Sequence, residues 1–158
     1  MQDSAPRASR PLLRAGIWIG VALAAFLDGI VLHQVLQWHH MVSSVYEPST
    51  HAHLRINTLA DGLFHVAAYV FAVVGLVQLW RARQAFGAER WARGFVGAVL
   101  VGAGAFNLVE GVVNHHILGI HHVREGSPNR LAWDLGFMAI SAAILGLGLW
   151  MRRTAREG

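Results

Sequence analysis

Four apolar segments, each long enough to cross a lipid bilayer, constrain the fold of this chain more than any other feature. They cover residues 15–37, 58–80, 94–118 and 131–151, and about 20 apolar residues are enough for one membrane-spanning helix. The chain has 158 residues, of which 14% are charged, whereas about a quarter are charged in soluble domains. The sequence therefore predicts an all-α fold, a four-helix transmembrane bundle that forms a single four-span domain over residues 15–151.

The arginines predict the orientation of this bundle. All 13 basic residues are arginine, and most of them lie before the first segment, between the second and third, or after the fourth. Because basic residues flank the cytoplasmic ends of membrane helices, we expect the tails 1–14 and 152–158 and the loop 81–93 in the cytoplasm. The connections 38–57 and 119–130 then face outward.

A repeated motif indicates that the first two spans are duplicated as the last two. Residues 28–40 read DGIVLHQVLQWHH and residues 110–122 read EGVVNHHILGIHH. They match at an acid, a glycine, a histidine five residues after the acid, and a final His-His pair. A weaker match joins residues 57–62 and 129–134. Two parallel two-span repeats, related by a pseudo-two-fold axis along the membrane normal, are a known design of membrane proteins.

Each predicted span contains one carboxylate. Placing a charged side chain inside a membrane costs at least about 2.5 kcal/mol of free energy. No arginine or lysine lies within a span, so the carboxylates must face inward and be paired, protonated or bound to cations. Asp61 and His65 share a helix face, whereas Asp28 and His33 lie roughly 140° apart on an α-helix and need a distorted helix or two separate sites. The predicted metal ligands are Asp28, His33, His40, Asp61, His65, Glu110, His115, His122 and Asp134.

Two further groups of polar residues surround these candidates. Asparagines near the helix ends are expected to orient ligands by hydrogen bonds, with helix capping as the alternative for the first and last of them: Asn57, Asn107, Asn114 and Asn129. Histidines of the outer connections are expected to form an access route or a second site on the outer face: His39, His51, His53, His116 and His121.

Four carboxylates with several histidines match the ligands of dinuclear carboxylate–histidine sites in helical bundles. Four negative charges also balance two divalent cations, and oxygen and nitrogen ligands without thiolate favour iron, copper, zinc or manganese. A haem is disfavoured because haem pockets are mostly apolar, whereas each of these spans carries a carboxylate. Nucleic-acid binding is excluded because the arginines only flank membrane segments.

The composition and spacing leave several functions open. A dinuclear site suits oxygen-linked redox chemistry, which would make the protein a membrane metal-dependent oxidoreductase, although no catalytic residue can be named. A second possibility is copper-type binding and delivery, with a metal-donor or respiratory-chain protein as partner. A third is a proton-coupled transporter without metal, and a fourth is a purely structural role for the buried polar groups.

The motifs DGxxxH…HH, NTLADGLFH, EGVVNHHxLxxHH and NxLAWDLGF resemble those of a family of bacterial four-span membrane proteins of unknown function. The resemblance covers about residues 15–151 and implies a multi-pass protein of the bacterial inner (plasma) membrane. It implies no reaction. The histidine-rich helices are also loosely similar to membrane metalloenzymes and to copper-handling assembly factors of respiratory oxidases, by residue type alone.

Overall fold

The computed structural model describes residues 10–87 and 90–157, the last two of these by their backbone alone. The described part of the chain is helical, without strands. Its α-helices span Arg10–Leu27 (α1), His51–Arg81 (α2), Trp91–Glu110 (α3) and Arg130–Glu157 (α4), and a short 3₁₀ turn, Arg83–Ala85, follows α2. All four helices are long and apolar enough to cross a membrane, which confirms the predicted four-span helical fold.

The helices extend beyond the apolar segments, most clearly at α2, which begins at His51 and not at residue 58. Thr50 caps this helix, since its side chain accepts a hydrogen bond from the backbone N–H of His53 at 3.2 Å, as threonine commonly does at a helix start. Asn57 therefore lies inside α2, and the capping alternative for this residue is wrong.

The helices α1 and α3 form the centre of the molecule, and α2 and α4 flank them. The main packing contacts join α1 to α2, α1 to α3, and α3 to α4. Where α1 crosses α3 the two backbones touch: an ideal Cβ on Gly20 would lie 2.0 Å from the carbonyl oxygen of Val99. On the other side of the crossing, a Cβ on Gly102 would lie 2.1 Å from the carbonyl oxygen of Ile17. Small residues allow this close approach between membrane helices.

Both central helices change to π-helical geometry at their C-terminal ends. Residues Asp28–Val35 (π1) continue α1, and residues Gly111–Ile117 (π2) continue α3. At their ends the N–H of Leu36 donates to the carbonyl of Val31, and that of Leu118 to Val113, each at 2.8 Å. Because a π-helix joins residues five apart, the acid and the histidine of each motif lie on one face.

Candidate metal centre

A first buried cluster joins one carboxylate and two histidines. Asp28 and His33 lie on π1, and His39 follows in the connection to α2; all three are buried. One ligand atom of each lies within 4.8 Å of the others. Nε2 of His33 is 3.2 Å from Oδ2 of Asp28, and Nε2 of His39 is 3.8 Å from Oδ1. We call this cluster the first triad.

The hydrogen bonds of the two rings leave lone pairs directed at the centre of the first triad. Nδ1 of His39 donates to the carbonyl oxygen of Val123 at 2.9 Å, so its Nε2 carries the lone pair. Burial, assisted by the nearby His121 and His33 rings, lowers the pKa of His39 from 6.5 to about 2, and this imidazole is therefore neutral. Oδ2 of Asp28 and Nε2 of both histidines have no hydrogen-bond partner.

A second triad, formed by Glu110, His115 and His121, has the same composition. Its residues are also buried, with one ligand atom of each within 4.8 Å of the others. Nε2 of His121 lies 2.9 Å from Oε1 of Glu110, and Nε2 of His115 lies 3.4 Å from the same oxygen. The amide of Asn114 donates to this oxygen as well, at 3.1 Å. Glu110 therefore accepts a hydrogen bond from an asparagine amide, and Leu32 occupies the corresponding position beside Asp28.

The two triads meet where the connections after π1 and π2 cross. His39 donates to Val123 of the second connection, and Nδ1 of His121 donates to the carbonyl oxygen of Met41 in the first, also at 2.9 Å. The rings of His39 and His121 stack with their centroids 4.5 Å apart and an interplanar angle of 10°. One ring of each triad is thus fixed by the backbone of the other connection.

The carboxylates of the flanking helices lie behind the triad histidines. Oδ1 of Asp61 accepts from Nδ1 of His33 at 2.9 Å and from the N–H of Met41 at 2.8 Å. Oδ2 of the same side chain contacts Nδ1 of His40 at 2.7 Å. This is the arrangement in which a carboxylate fixes the tautomer of a metal-binding histidine. Asp61 therefore contacts His33 on the side away from Asp28, whereas the sequence predicts Asp61 as a direct metal ligand.

Asp134 has corresponding partners beside the second triad. Its Oδ1 lies 3.4 Å from Nδ1 of His115 and accepts from the N–H of Val123 at 2.9 Å. Its Oδ2 contacts Nδ1 of His122 at 2.7 Å. Asp134 is almost fully buried, and like Asp61 it contacts a triad histidine on the side away from the triad centre.

The other three predicted histidine ligands lie outside the triads. His40 and His122 are half-buried on the outer side of Asp61 and Asp134. Nδ1 of His65 donates to the backbone carbonyl of Asp61 at 2.9 Å. Its Nε2 is buried without a hydrogen-bond partner and lies so close to Gly29 that a Cβ there would be 2.6 Å away.

The asparagines have separate positions. Only Asn114, of the four, has a described hydrogen bond to a triad residue. The amide of Asn57 donates to the carbonyl oxygens of Tyr46 and His53 and holds the outer connection to α2. Asn129 precedes α4, and its carbonyl accepts from the first turn of that helix. Asn107 is half-buried on α3, three residues before Glu110.

The expectation that all five remaining histidines lie on the outer face is wrong for two of them. His39 and His121 are only 3% and 0% exposed, because the outer connections fold back over the ends of π1 and π2. His51 and His116 are exposed, and His53 is half-buried. The repeated His-His pair was the signal in the sequence: in both repeats the first histidine enters a triad and the second contacts the flanking carboxylate.

An open polar groove reaches the first triad from the outer connections. His39, His40, Ser43, Glu47 and Glu125 are among the residues that line it. Glu125 also ties the two connections together, since its Oε1 accepts from the hydroxyl of Ser43 at 3.4 Å. The groove therefore lies between the two connections, directly beside a histidine of the first triad.

Comparison with protein families agrees with the membrane-spanning architecture. The family model described as "Predicted membrane protein (DUF2243)" matches residues 15–155, a range that contains both triads and the carboxylates behind them. Neither the curated proteins nor the solved structures include a match to this chain. The chain therefore belongs to DUF2243, a family of membrane proteins whose function is unknown.

Proposed function

We propose that this protein is an inner-membrane metalloprotein that binds one divalent metal ion in each triad and uses the pair in oxygen-linked redox chemistry. The observation that carries the proposal is the first triad, where buried acceptor atoms of Asp28, His33 and His39 face one another without hydrogen-bond partners. Burying unpaired acceptors is unfavourable. A cation held between them removes that penalty.

The donor set favours iron among the candidate metals. Two histidines and one carboxylate, with the remaining coordination positions open, are the ligands of non-haem iron(II) oxygenases. Manganese, zinc and copper(II) accept the same donor atoms. The charges also balance, because the two triad carboxylates together with Asp61 and Asp134 compensate two divalent cations in a poorly solvated site.

Each part of the site has a definite task in this proposal. The two triads would hold the metal ions, which when bound would supply oxygen binding and a change of oxidation state. His33 is held in orientation by its hydrogen bond to Asp61, and Asp134 lies 3.4 Å from Nδ1 of His115. The rings of His39 and His121 are fixed by backbone carbonyls. The two connections cover the triads, and the polar groove lined by His39 gives access to the first of them. The protein would then act as a membrane metal-dependent oxidoreductase.

The placement in the membrane follows from the arginines and belongs to the same proposal. Arg14 of α1, Arg81 of α2 and Arg93 of α3 lie at the ends of these helices that are far from the triads along the chain. With arginine on the cytoplasmic side, both termini are cytoplasmic and the triads lie in the outer half of the bilayer.

Metal binding for delivery to a respiratory protein is the second candidate function. The polar groove lined by His39 and His40 favours it, because a protein that transfers metal needs ligands that are accessible from outside. In this case the ions are exchangeable, and the half-buried His40 and His122 lie on the transfer path.

Metal analysis of the protein, purified in mild detergent without chelators, tests the proposal. We expect about two metal ions per chain, and a clear loss for His33→Ala and His115→Ala, because structural sites need their complete ligand sets. His116→Ala is the matched control, since this neighbour of His115 is exposed and its removal should leave the metal content unchanged.

The outcomes separate the candidate functions. A content of less than about one ion per chain would contradict the metal proposal and favour a proton-coupled transporter that uses the same buried acids and histidines. Metal that is retained equally in the two histidine variants and in His116→Ala would show that it is bound elsewhere. Metal that exchanges rapidly, and is retained less well by His40→Ala, would favour delivery.

A further inference from the structure

The geometry points to two metal sites of unequal affinity, of which the first triad is preformed and the second is closed by hydrogen bonds. This inference rests on the proposed function, because it concerns the order in which the two triads are filled. The first ion binds at Asp28, His33 and His39. The second ion binds at Glu110, His115 and His121 only after Glu110 has released its partners.

The two triads differ in how their donor atoms are satisfied. In the first triad, one carboxylate oxygen of Asp28 and Nε2 of both histidines are buried and unpaired. In the second triad, Oε1 of Glu110 accepts from Asn114 and lies 2.9 Å from Nε2 of His121. A metal ion entering the first triad displaces only the 3.2 Å contact between Nε2 of His33 and Oδ2 of Asp28, whereas one entering the second also displaces the hydrogen bond that Glu110 accepts from Asn114.

Two sequence differences between the repeats explain this. In the register that aligns residues 28–40 with 110–122, Asn114 corresponds to Leu32, which has no side-chain hydrogen-bonding group. The acid itself is longer in the second repeat, where Glu110 replaces Asp28, and the additional methylene allows its carboxylate to reach the amide of Asn114 and the ring of His121. The asymmetry is therefore encoded at two positions.

The expected difference in affinity follows from the hydrogen bonds to a charged group. Breaking one such bond weakens binding by about tenfold or more, so we expect the second ion to bind about 10- to 100-fold more weakly than the first. At low metal concentration the protein then holds one ion, and the pair forms only at higher concentration. Any chemistry that needs both ions is regulated by metal supply.

Titration of the metal-free protein with cobalt(II), followed by calorimetry and visible absorption, tests this order. Wild-type protein should bind two ions in two resolved steps. Asp28→Asn should remove the tighter step and leave the weaker one, and Glu110→Gln should do the reverse. Circular dichroism and gel filtration verify that each variant keeps its helical fold.

A matched pair of substitutions tests the cause of the asymmetry. Asn114→Leu, which gives the second repeat the residue of the first, should tighten the second step by about tenfold, because Glu110 loses one hydrogen bond. Leu32→Asn should weaken the first step. Two equal steps in the wild type, or loss of the weaker step in Asp28→Asn, would overturn the inference and leave the proposed function intact. No cobalt binding at all would overturn the proposed function itself.

Discussion

Gly20 lies where α1 crosses α3, and replacing it with alanine tests how closely these two helices pack. The new Cβ would lie 2.0 Å from the carbonyl oxygen of Val99 and 2.9 Å from the backbone nitrogen of Ala103. Ordinary contacts of a Cβ begin at 3.4 Å, and backbone atoms cannot rotate away as a side chain can. The helices must therefore separate by roughly 1 Å or more, and we expect a loss of about 2–3 kcal/mol in the free energy of unfolding, in the upper range for overpacked cores.

Unfolding in mixed micelles with increasing dodecyl sulfate, followed by circular dichroism, measures this loss. Gly62→Ala and Gly146→Ala are matched controls, because a Cβ at either position meets nothing within 4 Å. In a helix interior alanine is favoured over glycine by about 0.5–1 kcal/mol, so both controls should be neutral or slightly stabilising. Gly20→Ala with the stability of the controls would refute the close crossing.

The double variant Gly20→Ala/Gly102→Ala provides a second test. Gly102 makes the corresponding contact on the other helix, since its Cβ would lie 2.1 Å from the carbonyl oxygen of Ile17. One separation of α1 from α3 relieves both clashes, so the double variant should lose less stability than the two single losses added together. Full additivity would show that the two contacts are relieved independently and that the helices do not move as rigid units.

Two further predictions concern the region around the first triad. Asp61→Asn should keep the first ion bound but weaken its affinity by about 10- to 100-fold, as for other residues that orient a metal-binding histidine. A metal titration in which the tighter step is lost completely, as expected for Asp28→Asn, would instead make Asp61 a direct ligand to the metal beside His33. Gln37→Gly should raise the unfolding free energy by about 0.5–1 kcal/mol, because Gln37 has φ 50° and a side chain is disfavoured in this left-handed conformation. The corresponding residue of the second repeat is Gly119, which also has a positive φ. A lower melting temperature for Gln37→Gly would mean that the glutamine side chain stabilises the turn.

Much of the fold could be predicted because it depends on local composition. The four apolar segments required helices, and the single carboxylate in each span required a polar interior. The spacing of Asp28 and His33 was the difficulty, because α-helical geometry places them on different faces. The π-helix removes this conflict, because its hydrogen bonds join residues five apart. Whether a π-helix forms depends on how the chain turns after Leu36, and the hydrophobic periodicity of the sequence does not reveal that turn.

The positions of His39 and His121 could not be predicted for a different reason. Both lie in polar connections, where histidine is ordinarily solvated. Each is instead held in the interior by a hydrogen bond to the backbone carbonyl of a residue that is far away in the sequence. A single segment contains no information about such a contact. The repeated His-His pair showed that these positions are equivalent in the two repeats, but it did not show that they point inward.

The close helix crossing, the π-helices and the crossed connections depend on one another. The contact between α1 and α3 brings the connections after π1 and π2 together, where His39 reaches Val123 and His121 reaches Met41. A half of the molecule could align an acid with a histidine on its own π-helix, but it would leave its third ligand without the carbonyl that fixes its ring. Because of this dependence, each triad requires both repeats, and a substitution at the glycine crossing should weaken the metal binding proposed for both triads although it touches neither.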